Sequence, residues 1–171
     1  MCAERVPAKA KYRVPAVPAR LLRDPGHLLS LGFGAGLAPY APGTFGTLVG
    51  VALYWALVPL PLPAYLGMVL FAIALGIRLC GRTAQVLGVK DHPGIVWDEV
   101  VGFWVTMAGV PVGWVSCLAG FVLFRFFDIV KPWPIRVLDR RIGGGLGIML
   151  DDLAAGVFAL SLLNLWAYIS E

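Results

Sequence analysis

Five carboxylates stand where carboxylates are costly. Asp98 and Glu99 are adjacent, Asp151 and Asp152 are adjacent, and Asp128 lies between Arg125 and Lys131. Each group borders a long apolar run, and acids at the edge of hydrocarbon persist when they are paired or bound to metal. One acid at the head of a helix needs no further reason, because the helix dipole favours it by about 0.3–1 kcal/mol. Two neighbours are harder to explain that way. They point about 100° apart on a helix, so one of each pair turns toward the interior. Oxygen ligands without a His/Cys cluster select a hard cation, Mg²⁺, over Zn²⁺ or copper.

Positive charge accompanies the acids. Arg125, Asp128 and Lys131 recur at intervals of three and share a helical face. A simple intrahelical salt-bridge row reads that spacing as well as a functional site does. Pro132-Trp133-Pro134 then ends the helix, with Trp133 suited to an interfacial anchor. Arg136, Arg140 and Arg141 follow. A guanidinium fork matches phosphate oxygens, while attraction to an anionic membrane surface explains Arg140-Arg141 equally well. Acids, arginines and a divalent cation on one face describe phosphoryl transfer.

Competing motifs fail. Gly32-Phe33-Gly34-Ala35-Gly36 has its third glycine misplaced for a dinucleotide fingerprint, and Gly43-Thr44 lacks the lysine of a P-loop. His27 and His92 stand alone and are read as exposed or structural. Cys2, Cys80 and Cys117 show neither metal spacing nor a disulfide framework. Thr44 is placed as the N-cap of a helix. The Gly/Pro loop over 32–44 either holds phosphate on backbone N–H groups at that helix start or is a tight packed turn.

The elements that must position these residues are apolar. The 171 residues are 59% hydrophobic and 14% charged, against about 25% charged in a soluble domain. Bilayer is the expected solvent for part of the surface. No charged residue or histidine falls between Leu28 and Ile77. Helices are expected over about 45–58 and 64–80, separated by Pro59, Pro61 and Pro63. The uncharged run 100–124 breaks at Pro111–Gly113, and a last helix covers 153–169. Arms of about a dozen residues are too short to span, which makes 100–124 a re-entrant or interfacial hairpin. That arrangement keeps the basic segments on the cytoplasmic face. The fold expected is an all-α, multihelical membrane-embedded bundle with a re-entrant or broken helical hairpin. Residues 1–26 read as a basic, mobile arm without a signal peptide, and 27–171 as one domain. Nothing resembles a nucleic-acid-binding module.

Four ordered blocks carry a resemblance. They are Gly32 to Pro39 with Ala41 to Thr47, Ile95 to Gly102, Phe124 to Ile135, and Gly144 to Gly156. Together, over roughly residues 27–170, they resemble the phosphatidylglycerophosphatase A family. The resemblance implies an all-helical enzyme of the bacterial inner membrane, multi-pass. It implies Mg²⁺-dependent hydrolysis of phosphatidylglycerophosphate to phosphatidylglycerol and phosphate. On this reading Asp98, Glu99, Asp128, Asp151 and Asp152 converge at the cytoplasmic interface as candidate metal ligands. Asp98, Glu99, Asp128 and Asp152 are the catalytic candidates, one of them a base for water. Thr44, Arg125, Lys131 and Arg136 are the substrate-binding candidates, with the acyl chains of the membrane lipid lying among the apolar helices. The alternatives are a phosphatase for another lipid phosphate such as phosphatidate, and a non-catalytic membrane carrier. Oligomeric state is not legible.

Overall fold

Proline opens three helices of the computed structural model, which describes residues 16–133, 135–137 and 142–170. A proline in the first helical turn loses no hydrogen bond and arrives with helical φ. Thus Pro25 begins α1 (Pro25–Ser30), Pro42 begins α2 (Pro42–Leu57), and Pro63 lies in the first turn of α3 (Leu62–Leu87). Gly88, at φ 71°, closes α3 in the left-handed conformation that glycine adopts freely. The chain continues through α4 (Trp97–Thr106), α5 (Trp114–Val130) and α6 (Gly144–Ser170). Among the described residues there is no strand, and the expected all-α fold is what the chain adopts.

The centre of the bundle is α4. Val100, Val101 and Phe103 have no exposed surface, and α2, α3, α5 and α6 pack around them. Three side-chain hydrogen bonds pin it. Trp97 Nε1 donates to Ala72 O at 3.2 Å, Trp104 Nε1 donates to Gly50 O at 3.0 Å, and Tyr65 Oη donates to Trp104 O at 2.7 Å. Toward α6 the contact is backbone on backbone. A methyl group on Gly156 would stand 2.5 Å from Gly102 O, and one on Gly102 would stand 2.9 Å from Asp152 O.

Several boundaries differ from those expected. Thr44 does not cap α2; Ala41 does, in a left-handed conformation (φ 46°) and without a side-chain hydrogen bond. The last helix begins at Gly144 rather than near 153, so Asp151-Asp152 lies two turns inside it and not at its head. The break between α4 and α5 falls over 107–113, as expected around Pro111. However, α5 has 17 residues, more than the short arm foreseen. Of the N-terminal arm, residues 1–15 lie outside the described part. Ala19–Arg23 form a 3₁₀ turn, and Asp24 caps α1 through Gly26 N and His27 N and pairs with Arg82 at 3.0 Å.

Both histidines are buried and structural. His27 Nδ1 meets Thr83 Oγ1 at 2.8 Å, and Thr83 Oγ1 meets Ser30 Oγ at 2.6 Å. His92 Nδ1 accepts from Gly94 N at 3.0 Å. Cys80 and Cys117 are buried free thiols.

Two helices, Leu62–Leu87 and Gly144–Ile169, are long and apolar enough to cross a membrane. Leu70, Phe71, Leu118, Val122, Leu165 and Ile169 are exposed around the bundle, an apolar surface that water would not favour. At one end, Tyr54, Leu60, Leu62, Tyr65, Gly109 and Val112 line a cavity of about 310 Å³ between the α2–α3 turn and the α4–α5 break. The starts of α2, α4 and α6 and the end of α5 meet at the opposite end. Trp133, expected as an anchor, is exposed just beyond α5.

Candidate cation and phosphate site

Asp98 and Glu99 occupy the first turn of α4. The 3₁₀ segment Gly32–Leu37 supports that turn rather than reaching a ligand. Its Gly32 lies against Val96 and its Gly36 against the Gly94 carbonyl, and Ser30 O accepts from Val96 N at 2.9 Å. Asp152 approaches from α6 because Gly102 and Gly156 let the two helices touch one turn further along, at i+4 from Asp98 and from Asp152 respectively. As a result, Asp98, Glu99 and Asp152 each offer an oxygen within 4.8 Å of the others. Asp98, itself 7% exposed, and Asp152, 3% exposed, are buried, and the Glu99 side chain is 13% exposed.

Burial of three acids in contact must be compensated. Among the described residues, Asp98 Oδ1, Glu99 Oε2 and Asp152 Oδ2 are buried without a hydrogen-bond partner. Desolvation, followed by the charge of Glu99, holds the Asp98 carboxyl well above the usual carboxylate range. Glu99 is pushed up to about 8, first by burial, while a hydrogen bond from Asp98 pulls it down and Asp152 and Asp128 push it up. Such a trio releases its protons when a cation replaces them. The donor set is oxygen only, the chemistry of a hard divalent ion.

Asp128 joins this group from α5, close enough for its charge to act on both Glu99 and Asp152. Arg125 lies one turn earlier on the same face. Its Nη1 is 2.5 Å from Asp128 Oδ2 and 3.9 Å from Glu99 Oε1, and its Nε is buried without a partner. Lys131 does not extend the Arg125–Asp128 row. At φ 43° it ends α5 in a left-handed turn and pairs with Asp151 instead. The five acids therefore gather at one end of the bundle, three with oxygens within 4.8 Å of one another and two beside them, with Arg125 pairing Glu99 and Asp128 and Lys131 pairing Asp151.

The other expected residues lie further out. Thr44 is half-buried on the first turn of α2, and the α2 residue that touches the site is its neighbour Gly43, which abuts Glu99 and Arg125. Thr47, also unforeseen, holds Gly43 by donating from Oγ1 to Gly43 O at 2.9 Å. A glycine at the first turn of a helix, after proline, was the available signal. Arg136 is exposed, without an ion pair among the described residues. Asp139, Arg140 and Arg141 lie outside them.

The family model described as phosphatidylglycerophosphatase A matches residues 28–167. Phosphatidylglycerophosphatase A of Escherichia coli K12 is 46% identical over 143 residues, covering 83% of each chain. The protein of the same name from Haemophilus influenzae is 46% identical over 146 residues, 81% of this chain and 86% of that one. A Bacteroides thetaiotaomicron protein with the provisional name phosphatidylinositol-3-phosphatase is 39% identical over 149 residues, 80% of this chain and 89% of that one. No solved structure matches significantly.

Proposed function

Because the chain belongs to the phosphatidylglycerophosphatase A family, we propose that its hydrolysis of phosphatidylglycerophosphate to phosphatidylglycerol and phosphate runs on a divalent cation, Mg²⁺, held by Asp98, Glu99 and Asp152. The observation that carries this reading is a trio of carboxylates within 4.8 Å, each with a buried oxygen that no donor satisfies. When bound, the ion supplies charge neutralisation at the phosphate and a more acidic water.

The protein's own groups do the rest. Asp128, outside the trio but beside Asp152, takes the proton of the attacking water, and Arg125 holds its carboxylate in place. The Arg125 guanidinium also faces the phosphate, where a planar fork is matched to its oxygens. Lys131 neutralises Asp151 and keeps a positive charge beside the phosphate. Thr44 and Arg136 contact the headgroup from the rim. The two apolar helices and the exposed apolar surface support a multi-pass protein of the bacterial inner membrane. There the acids lie at the cytoplasmic interface and α4–α5 form a re-entrant hairpin. The acyl chains stay in the bilayer while the terminal phosphate enters the acidic end.

The test is phosphate release from pure lipid by the detergent-solubilised protein. Activity is expected to vanish with a chelator and return with Mg²⁺. Full turnover in chelator would overturn the cation assignment. Phosphatidate and phosphatidylinositol 3-phosphate, as competing substrates, are expected to be cleaved more slowly. Equal rates would remove the headgroup preference.

A further inference from the structure

We propose that Gly43 is a positioning residue of this site: the space left by its missing side chain is where the Glu99 carboxylate and the Arg125 guanidinium meet, and that space holds Glu99 in register for the cation. The proposal rests on the cation-site reading above. The left-handed Ala41 followed by Pro42 turns the chain sharply into α2 and lays Gly43 over the first turn of α4. A methyl group at Gly43 would overlap Glu99 Oε1 and stand 3.2 Å from both Nη1 and Nη2 of Arg125.

What must move differs along this face of α2. Gly46 and Gly50 continue the face at i+3 and i+7, and there an added methyl would meet Val96 Cβ at 2.6 Å and the Val100 backbone at 3.1 Å. Those contacts bring α2 flush against α4, and lifting it away would open the core. At Gly43 the obstacles are the free ends of two flexible side chains. They yield before the helix does. A side chain at Gly43 therefore displaces Glu99 and Arg125 and leaves the bundle standing.

The experiment uses the full chain in detergent, stripped of metal, with Mn²⁺ as a spectroscopically visible probe. Gly43→Ala is expected to weaken Mn²⁺ binding by about tenfold or more, since disturbing the surroundings that orient a metal ligand costs roughly 10–100-fold. Its metal-free thermal midpoint stays near that of the wild type, whereas Gly46→Ala lowers the midpoint clearly. Glu99→Asp shortens the displaced group, so the losses from Gly43→Ala and Glu99→Asp are expected to be non-additive. Wild-type Mn²⁺ affinity in Gly43→Ala, additive losses, or a midpoint that falls as far as that of Gly46→Ala would each overturn the proposal. No Mn²⁺ binding by the wild-type chain would overturn the cation site beneath it, while phosphate release by that same chain would leave the hydrolytic function standing.

Discussion

Asp98→Asn and Asp152→Asn are each expected to lower kcat/KM by about 10²–10⁴ and, in the metal-free protein, to raise the thermal midpoint. The first half follows from losing a cation ligand. Charge stabilisation by a bound metal is worth several kcal/mol in the transition state, and about 1.4 kcal/mol is a decade in rate. The second half follows from burial. Both carboxylates sit in the interior beside other acids, each with an oxygen that finds no donor. Removing one charge relieves desolvation and repulsion together. Activity and stability should therefore move in opposite directions, which simple damage to the fold would not produce. Asp128→Asn separates the roles further: turnover falls by about 10²–10⁴, as for a general base, with Mn²⁺ affinity much less affected. Near-wild-type turnover in all three variants at saturating Mg²⁺ would contradict the mechanism.

The pH dependence of cation binding is the other large effect expected. Glu99 titrates near 8 in the fold against an ordinary value of 4.5, chiefly because it is buried, and Asp98 is raised as well. A carboxyl whose pKa is higher in the folded chain than in the unfolded one binds its proton more tightly when folded. Its contribution to stability is complete below pH 4.5 and is lost as pH rises through about 8. The metal-free chain should therefore lose stability between pH 5 and pH 8, and Mg²⁺ should restore it. Since cation and protons compete for the same oxygens, Mg²⁺ affinity should rise over this window by up to about tenfold per pH unit for each proton displaced. Calorimetric titration in buffers of different ionisation enthalpy counts those protons. An affinity independent of pH from 6 to 8 would show that the site is already ionised.

The chemistry was more legible in the sequence than the geometry. Paired acids beside apolar runs pointed to a shared acidic site, because such placement is costly for isolated acids, and Asp98, Glu99 and Asp152 do bring oxygens within 4.8 Å of one another. The broken hairpin followed from Pro111 and Gly113. What the chain order concealed was contact between distant backbones. The expected start of the last helix near 153 left Gly144, Gly145 and Gly147 outside it, and glycine costs a helix about 1 kcal/mol per residue. Helix α6 nonetheless begins at Gly144, and Gly145 sits beside the Gly81 backbone of α3, where a side chain would run into the Ile77 carbonyl. For the same reason Gly43 was overlooked in favour of Thr44. A hydroxyl advertises a role by its chemistry, while a glycine shows one only through what fills the space beside it. Lys131 was assigned to the Arg125–Asp128 row by its spacing, but its left-handed backbone turns it toward Asp151.

The crossing of α4 and α6 at Gly102 and Gly156 also bears on ionic radius. The separation between the carboxylates of the two helices is kept short one turn away, where glycines let backbone meet backbone. Mg²⁺ binds oxygen at 2.0–2.1 Å and Ca²⁺ at about 2.3–2.6 Å with more ligands. A clamp of this kind favours the smaller ion. Calcium should therefore occupy the acids poorly and support little turnover, and a wider residue at the crossing, such as Gly156→Ala, should shift the preference toward it.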